Sequence, residues 1–136
     1  LSPSGFTCPH PPWGELTAVD LTTRSVLWKR SIGTTDGHAP FGLAFPTGVF
    51  NLGGTAVTRG GLTFVSGTID NFLRAFDTET GAELWRGRLP AGGQAGPMTY
   101  VSPKTGKQYV VIPAGGHVSM QTDLGDAVVA FALPER

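Results

Sequence analysis

The stretch GTAVTRGGLTFVSGTIDNFLRAFDTETGAELW (residues 54–85) contains four short segments of strand-like composition. These segments, residues 55–58, 62–66, 72–76 and 83–86, are rich in apolar, aromatic and β-branched side chains. Glycine adopts positive φ without steric cost, so the glycine-containing connections between the segments predict turns. Four strands of about five residues joined by short connections predict one antiparallel meander.

Part of this stretch occurs twice in the chain. Residues 16–28 and 73–85 share Leu, Ala, Asp, Thr, Leu and Trp in the same register. A repeat of this length that is built from short strands is typical of a β-propeller blade. The predicted fold class is therefore all-β, with the four-stranded antiparallel meanders of β-propeller blades.

The blade pattern predicts that the 136 residues form a single partial propeller domain, residues 1–136. Residues 15–32 are expected to form the last two strands of a blade, and residues 54–88 a complete blade. Residues 97–133 have the pattern of three strands, which predicts an incomplete last blade. Open strand edges at both ends are sites of association, so we expect this piece to self-associate.

Two segments fall outside the strand pattern. Residues 1–14 are rich in proline and predict an irregular lead-in. Residues 33–53 contain several phenylalanines and glycines, and a connection this long is usually functional or disordered. Because of the phenylalanines, we expect an ordered loop that is packed over one end of the propeller.

Composition excludes several classes of function. Ten basic and ten acidic residues give a net charge of zero, so the chain has no basic surface that favours nucleic-acid binding. No apolar run reaches the ~20 residues that span a bilayer. Leu1 is not an initiator methionine, and we expect the chain to be cut from a longer one. Cys8 is the only cysteine, so it is either an inert thiol or the partner of a cysteine elsewhere.

Strands of a blade alternate in direction, so alternate loops share one face of the propeller. Residues 33–53, 67–71, 89–96 and 113–125 are the long or glycine-rich loops of one such face. They place on that face the polar residues Asn51, Asp70, Asn71, Gln94 and His117. A concave site at one end of a propeller is a usual place for a ligand.

Several of these segments resemble the pyrroloquinoline-quinone (PQQ)-dependent dehydrogenases. Residues 75–85 (AFDTETGAELW) are similar to the tryptophan-bearing repeat of that family. Residues 11–20, 51–54, 92–100 and 115–126 resemble the C-terminal end of its membrane-bound branch, which includes the glucose and quinate dehydrogenases. The resemblance extends over nearly the whole chain.

The resemblance implies an eight-bladed propeller with PQQ and a divalent ion, Ca²⁺ or Mg²⁺, on its axis. It implies oxidation of a sugar or a cyclic polyol of the glucose or quinate/shikimate type, with electrons passed to ubiquinone. The implied location is the periplasm, with the parent protein anchored to the inner membrane. The implied partners are the remaining N-terminal blades, ubiquinone and the small substrate. The resemblance also implies that the catalytic base and the metal ligands lie in earlier blades outside this chain, so the piece alone is expected to be inactive.

The same resemblance implies which residues contact the cofactor. The histidine of the Gly-Gly-His motif corresponds to His117, with Gly116 allowing close backbone approach, and the motif Thr-x-Asp-Asn implicates Asp70. Asn51 is a further candidate. For Asp70 the alternative is a residue that closes a turn, and for His117 a loop histidine bonded to backbone.

The chain departs from the family pattern just after His117. Val118 and Gln121 stand where relatives usually carry glycine. Trp28 and Trp85 lie in outer strands, which favours packing between blades over contact with a cofactor.

The second hypothesis for function is a non-catalytic propeller of the same repeat that binds proteins, as in the outer-membrane assembly lipoproteins. The Gly-Gly-His loop and the phenylalanine-rich loop at residues 33–53 argue against such a scaffold.

Overall fold

The computed structural model describes residues 10–133, and predictions for residues 1–9, Cys8 among them, lie outside the described range. The described range forms nine β-strands: β1 (Glu15–Asp20), β2 (Ser25–Ser31), β3 (Thr55–Val57), β4 (Leu62–Val65), β5 (Phe72–Asp77), β6 (Glu83–Arg88), β7 (Met98–Val101), β8 (Gln108–Ala114) and β9 (Ala127–Ala132). Two short 3₁₀ turns, Pro40–Gly42 and Val118–Met120, lie in the long loops.

The strands form three antiparallel sheets. The first sheet pairs β1 with β2, the second has the order β3-β4-β5-β6, and the third has the order β7-β8-β9. Neighbours in sequence are neighbours in space throughout, and in the second sheet Ala75 pairs with both Phe64 and Trp85. The predicted all-β class with a four-stranded antiparallel meander is confirmed.

The turn before the last strand of the first and second sheets is closed by an aspartate. Asp77 Oδ1 accepts hydrogen bonds from the backbone N–H groups of Thr80 at 2.7 Å and Glu79 at 3.0 Å. Asp20 Oδ1 accepts from Thr22 N–H at 2.7 Å in the equivalent turn. The hydrogen bonds from Thr80 lower the pKa of Asp77. The repeated aspartates therefore act locally, as turn residues.

The larger apolar core lies between the second and third sheets. Its buried members are Leu73, Leu89, Ala91, Val110, Ile112 and Ala114, with Phe64, Val129 and Phe131 packed against them. At the outer end of this interface Trp85 meets Phe131 edge to face, with ring centroids 5.0 Å apart. Such a contact adds about 0.5–1.5 kcal/mol to simple burial.

A smaller core joins the first and second sheets, where Ile32, Val65 and Phe76 are buried against Leu16. Trp28 supplies the outer contact: its indole Nε1 donates to Thr78 O at 3.0 Å. A side chain at Gly81 would clash with the same indole. Trp28 and Trp85 thus each dock one sheet on the next, and the prediction that both pack between blades is confirmed.

The phenylalanines of residues 33–53 are exposed by about half or more. Phe41 is 97% exposed, and Phe45 and Phe50 are about half exposed. Polar contacts order this segment instead, since Thr35 Oγ1 donates to Leu43 O at 3.1 Å and accepts from Phe45 N at 2.9 Å. The loop as a whole is nevertheless held against the sheets, since Val49 is buried and its N–H donates to Ile32 O at 2.9 Å.

Candidate functional site

Polar side chains collect where the β4–β5 turn, the link between β6 and β7 and the loop between β8 and β9 meet. The last of these, residues 115–126, carries His117 and is called here the His117 loop. Gly116 N–H donates to Gly92 O at 2.8 Å, and Gly125 N–H donates to Gly115 O at 3.1 Å. The loop is therefore closed at its base and attached to the preceding link by main-chain bonds.

Gly116 is required by this closure. Its φ is +72°, and a Cβ there would clash with the carbonyl oxygen of Asp123. Gly92 is equally confined, because a Cβ would meet the side chains of Gln94 and Thr122. The two glycines allow the backbone segments to approach without intervening side chains. The close approach that Gly116 allows here is between parts of the chain itself, and its predicted approach to a ligand stays a prediction.

His117 is half-buried and is anchored through its backbone. Its N–H donates to Thr122 Oγ1 at 2.9 Å. The ring nitrogen Nδ1 is buried and has no hydrogen-bond partner among the described residues. Because Nδ1 faces inward, Nε2 is the ring nitrogen that remains for an external group.

The chain after His117 turns sharply. Val118–Met120 form a 3₁₀ turn, and Gln121 follows with φ +54° in the left-handed region. Its N–H donates to Val118 O at 3.0 Å. A non-glycine residue in this region carries a conformational cost.

Asp70 is a buried carboxylate with all its contacts inside the chain. It is 2% exposed and forms a bidentate ion pair with Arg74 in β5. Thr68 Oγ1 donates to Oδ1 at 2.6 Å, and the Thr34 N–H donates to Oδ2 at 2.7 Å. Burial by itself raises the pKa of Asp70, but the hydrogen bonds and charge of Arg74 outweigh this and hold the pKa below its usual range. Both oxygens therefore serve the junction of the first and second sheets.

Asn71, the next residue, forms its side-chain hydrogen bond toward the His117 loop and not toward the first sheet. Its Nδ2 donates to Asp123 Oδ2 in the His117 loop at 3.0 Å, whereas its Oδ1 is buried without a partner among the described residues. The φ of +57° at Asn71 is one that asparagine tolerates better than most residues. This turn therefore connects the second sheet to the His117 loop.

Asn51 closes the start of β3. Its Nδ2 donates to Ser66 O at 3.1 Å, and its Oδ1 accepts from Gly53 N at 3.0 Å. A cavity of about 330 Å³ lies beside it, lined by Trp13, Gly14, Glu15, Leu16, Ile32, Phe50, Asn51, Gly53, Thr55 and Val65. The cavity is a second concave region, between the first and second sheets, and no residue of the His117 loop lines it.

The predicted site residues thus fall into two linked groups. His117, Gly116, Gln94 and Asn71 meet at the His117 loop, whereas Asp70 and Asn51 lie toward the first sheet. Among residues 10–133 no group of three or more His, Cys, Asp and Glu side chains is arranged to hold a metal ion.

Sequence reasoning missed Arg74, Thr122 and Asp123. Arg74 had a signal: it is a charged residue in the middle of an otherwise apolar strand, where only a paired charge can be buried. Thr122 and Asp123 stand in a loop and follow no motif, so only the packing of distant segments reveals them.

Consecutive antiparallel meanders, each docked on the next by an outer tryptophan, define this chain as part of a β-propeller. Residues 1–110 match the family model described as "PQQ: Glucose/ethanol/alcohol dehydrogenase, beta-propeller domain". The chain belongs to this family of PQQ propeller domains, and the recognition made from its motifs is confirmed.

Two relatives cover nearly the whole chain. A probable quinate dehydrogenase (quinone) of Xanthomonas campestris pv. juglandis is 55% identical over 99% of this chain, which spans 18% of that relative. The quinoprotein glucose dehydrogenase of Escherichia coli (strain K12) is 50% identical over 99% of this chain, which spans 17% of it. The chain therefore spans less than a fifth of the length of these relatives.

A solved structure shows the same fold. The quinohemoprotein alcohol dehydrogenase from Comamonas testosteroni matches 90% of this chain and 18% of its own with a TM-score of 0.58 and 23% identity. At that identity the match concerns the fold alone, and it confirms the predicted propeller architecture. No helix among the described residues is long and apolar enough to cross a membrane.

Proposed function

We propose that this chain supplies the C-terminal blades of a PQQ-dependent dehydrogenase that oxidises a sugar or a cyclic polyol. The relatives with glucose and quinate dehydrogenase names support this class of substrate. The observation that carries the proposal is the His117 loop, whose glycines present one half-buried histidine at the propeller face. We further propose that electrons pass to ubiquinone, in a periplasmic protein anchored to the inner membrane.

His117 is the residue that we expect to contact the quinone, through Nε2. Beside it, Asn71 Oδ1, Gln94 Nε2 and His117 Nδ1 are buried atoms that have no hydrogen-bond partner among the described residues. Gly116 adds no side chain between the loop and a ligand. The quinone, when bound, supplies the two-electron acceptor that amino acid side chains lack.

Asp70 and Asn51 are proposed to lie near the same cofactor, on the side toward the first sheet. Asp70 holds Thr34 and Arg74 in place, and Asn51 holds the start of β3. Both therefore order the surface that would surround the cofactor. In line with the family pattern, the ligands of Ca²⁺ or Mg²⁺ and the catalytic base are proposed to come from blades outside this chain.

The remaining N-terminal blades of the parent are the proposed partners of the two end sheets. Several apolar side chains of these sheets are exposed, among them Val19, Leu21, Val26, Leu27 and Val128. Neighbouring blades would bury them and would also supply a strand beside β9. Without such neighbours, we expect the isolated chain to self-associate and to be inactive.

The test uses the full-length parent protein without cofactor. Titration with PQQ and either Ca²⁺ or Mg²⁺, followed by dye reduction with glucose, quinate, shikimate and a simple alcohol, should give activity with one polyol class. Activity that depends on added quinone supports the dehydrogenase. Absence of quinone binding would contradict it and favour the second candidate, a non-catalytic propeller that binds proteins.

A further inference from the structure

The His117 loop has few apolar contacts to hold it. Val118 is 76% exposed and Leu124 is 66% exposed, so neither side chain anchors the loop in a core. Side-chain hydrogen bonds must therefore contribute much of its order. Two such connections reach the loop from outside, one from Gln94 and one from Asn71.

The first connection passes from Gln94 through Thr122 to His117. Thr122 Oγ1 accepts the backbone N–H of His117 at 2.9 Å and donates to Gln94 Oε1 at 3.2 Å. A hydroxyl has one proton, and because the oxygen already accepts from a backbone amide, that proton is directed to Gln94. The amide of Gln94 thus fixes the orientation of the hydroxyl that holds His117.

The second connection passes from Asn71 to Asp123. Asn71 Nδ2 donates to Asp123 Oδ2 at 3.0 Å, and the Asp123 carbonyl accepts Gly92 N–H at 3.1 Å. The Asn71 carbonyl in turn accepts the N–H of Leu89 at 2.8 Å, which binds the turn to the link before β7. The loop is therefore fixed on both sides of the 3₁₀ turn that follows His117.

We propose that Gln94 and Asn71 are positioning residues that hold the His117 loop in the geometry required for quinone binding. This inference rests on the proposed function. Neither residue needs to touch the cofactor, because Gln94 acts through Thr122 and Asn71 acts through Asp123. When either connection is lost, the imidazole of His117 is still present, but the backbone that positions it becomes disordered.

Thr122 provides the sharpest test in the parent protein. T122V removes the hydroxyl at nearly constant volume, and T122S retains it. For T122V we expect amide hydrogen exchange at His117 to become about tenfold faster and the dissociation constant for PQQ to rise about tenfold, the equivalent of one lost hydrogen bond. T122S should restore both values to within about threefold.

A matched control is available at Thr105, whose Oγ1 also accepts a backbone N–H, that of Lys107 at 3.3 Å, in the turn between β7 and β8. T105V should alter neither His117 exchange nor quinone affinity. Equal behaviour of T122V and T122S, or equal effects of T122V and T105V, would overturn the role of Gln94 and Thr122. The exchange measurement decides this even if the parent binds no quinone, which would instead refute the proposed function.

The role of Asn71 is tested by swapping the amide and the carboxylate between positions 71 and 123. N71D places two carboxylates in contact and should weaken PQQ binding about tenfold, whereas the double variant N71D/D123N restores a donor and an acceptor in reversed order. We expect the double variant to bind PQQ within about threefold of the wild type. Additive losses in the double variant would show that the pair has no positioning role.

Discussion

Asp70 and Asn71 are adjacent in the chain, yet their side chains bind opposite neighbours. Asp70 accepts from Thr34 toward the first sheet, and Asn71 donates to Asp123 toward the third sheet. One turn thereby connects three consecutive sheets. A change at Asp70 should therefore affect the interface with the first sheet, and a change at Asn71 the interface with the third.

The ion pair of Arg74 and Asp70 is expected to be essential for folding. Both side chains are at most 2% exposed, so R74M leaves a buried carboxylate without its counter-charge. Breaking a buried pair from one side costs about 3–5 kcal/mol. R74M should therefore strongly lower the thermal stability of the parent.

Arg88 gives the matched control for Arg74. It pairs with Asp36 at 2.9 Å but is 62% exposed. Exposed pairs contribute about 0–1 kcal/mol, so R88M should barely change the melting temperature. Similar melting temperatures for R74M and R88M would show that the Asp70 pair is not the anchor of this junction.

The same carboxylate makes stability depend on pH in the acid range. Arg74 holds the folded-state pKa of Asp70 below its usual value. The stabilisation is therefore fully present above the unfolded-state pKa of about 3.9 and is lost as pH falls through the lower folded-state pKa. Melting temperatures measured from about pH 5 to pH 2 should fall less steeply in D70N than in the wild type. Parallel curves would contradict the assignment.

The turn after His117 carries strain that glycine should relieve. Gln121 has φ +54°, which costs an L-residue about 1–2 kcal/mol, whereas glycine loses about 0.5–1 kcal/mol of backbone entropy. The left-handed cost is the larger, so Q121G should raise stability by up to about 1 kcal/mol.

Gln108 is the control for Q121G, because it begins the strand β8 in extended backbone. At Gln108 only the entropic cost applies, and Q108G should lower stability by about 0.5–1 kcal/mol. Denaturant unfolding of the two variants should therefore give shifts of opposite sign. A loss of stability in both would show that Gln121 is not strained.

Sequence reasoning predicted the strands and turns because their signals are local. Gly61 and Gly81 adopt φ of +81° and +70° at the predicted turns. The two repeated tryptophans, Trp28 and Trp85, each dock one sheet on the next. The site contacts were beyond such reasoning because they join distant residues, with Thr34 and Asp70 36 positions apart. Phe41 is exposed for a related reason: an apolar side chain is buried only where another residue packs on it.

His117 should be distinguishable from the other described loop histidine near the site by quinone affinity. H117N removes Nε2, the ring nitrogen proposed to contact the quinone, and loss of a hydrogen bond to a charged ligand group costs about 1.5–3 kcal/mol. We expect PQQ to bind roughly ten- to hundredfold more weakly to the parent carrying H117N in a fluorescence titration. H38N is the matched control, because His38 contacts Ile69 O at 3.0 Å from the exposed segment before β3. Since that contact lies within the chain, H38N should leave the affinity unchanged, and equal affinities for the two variants would remove His117 from the site.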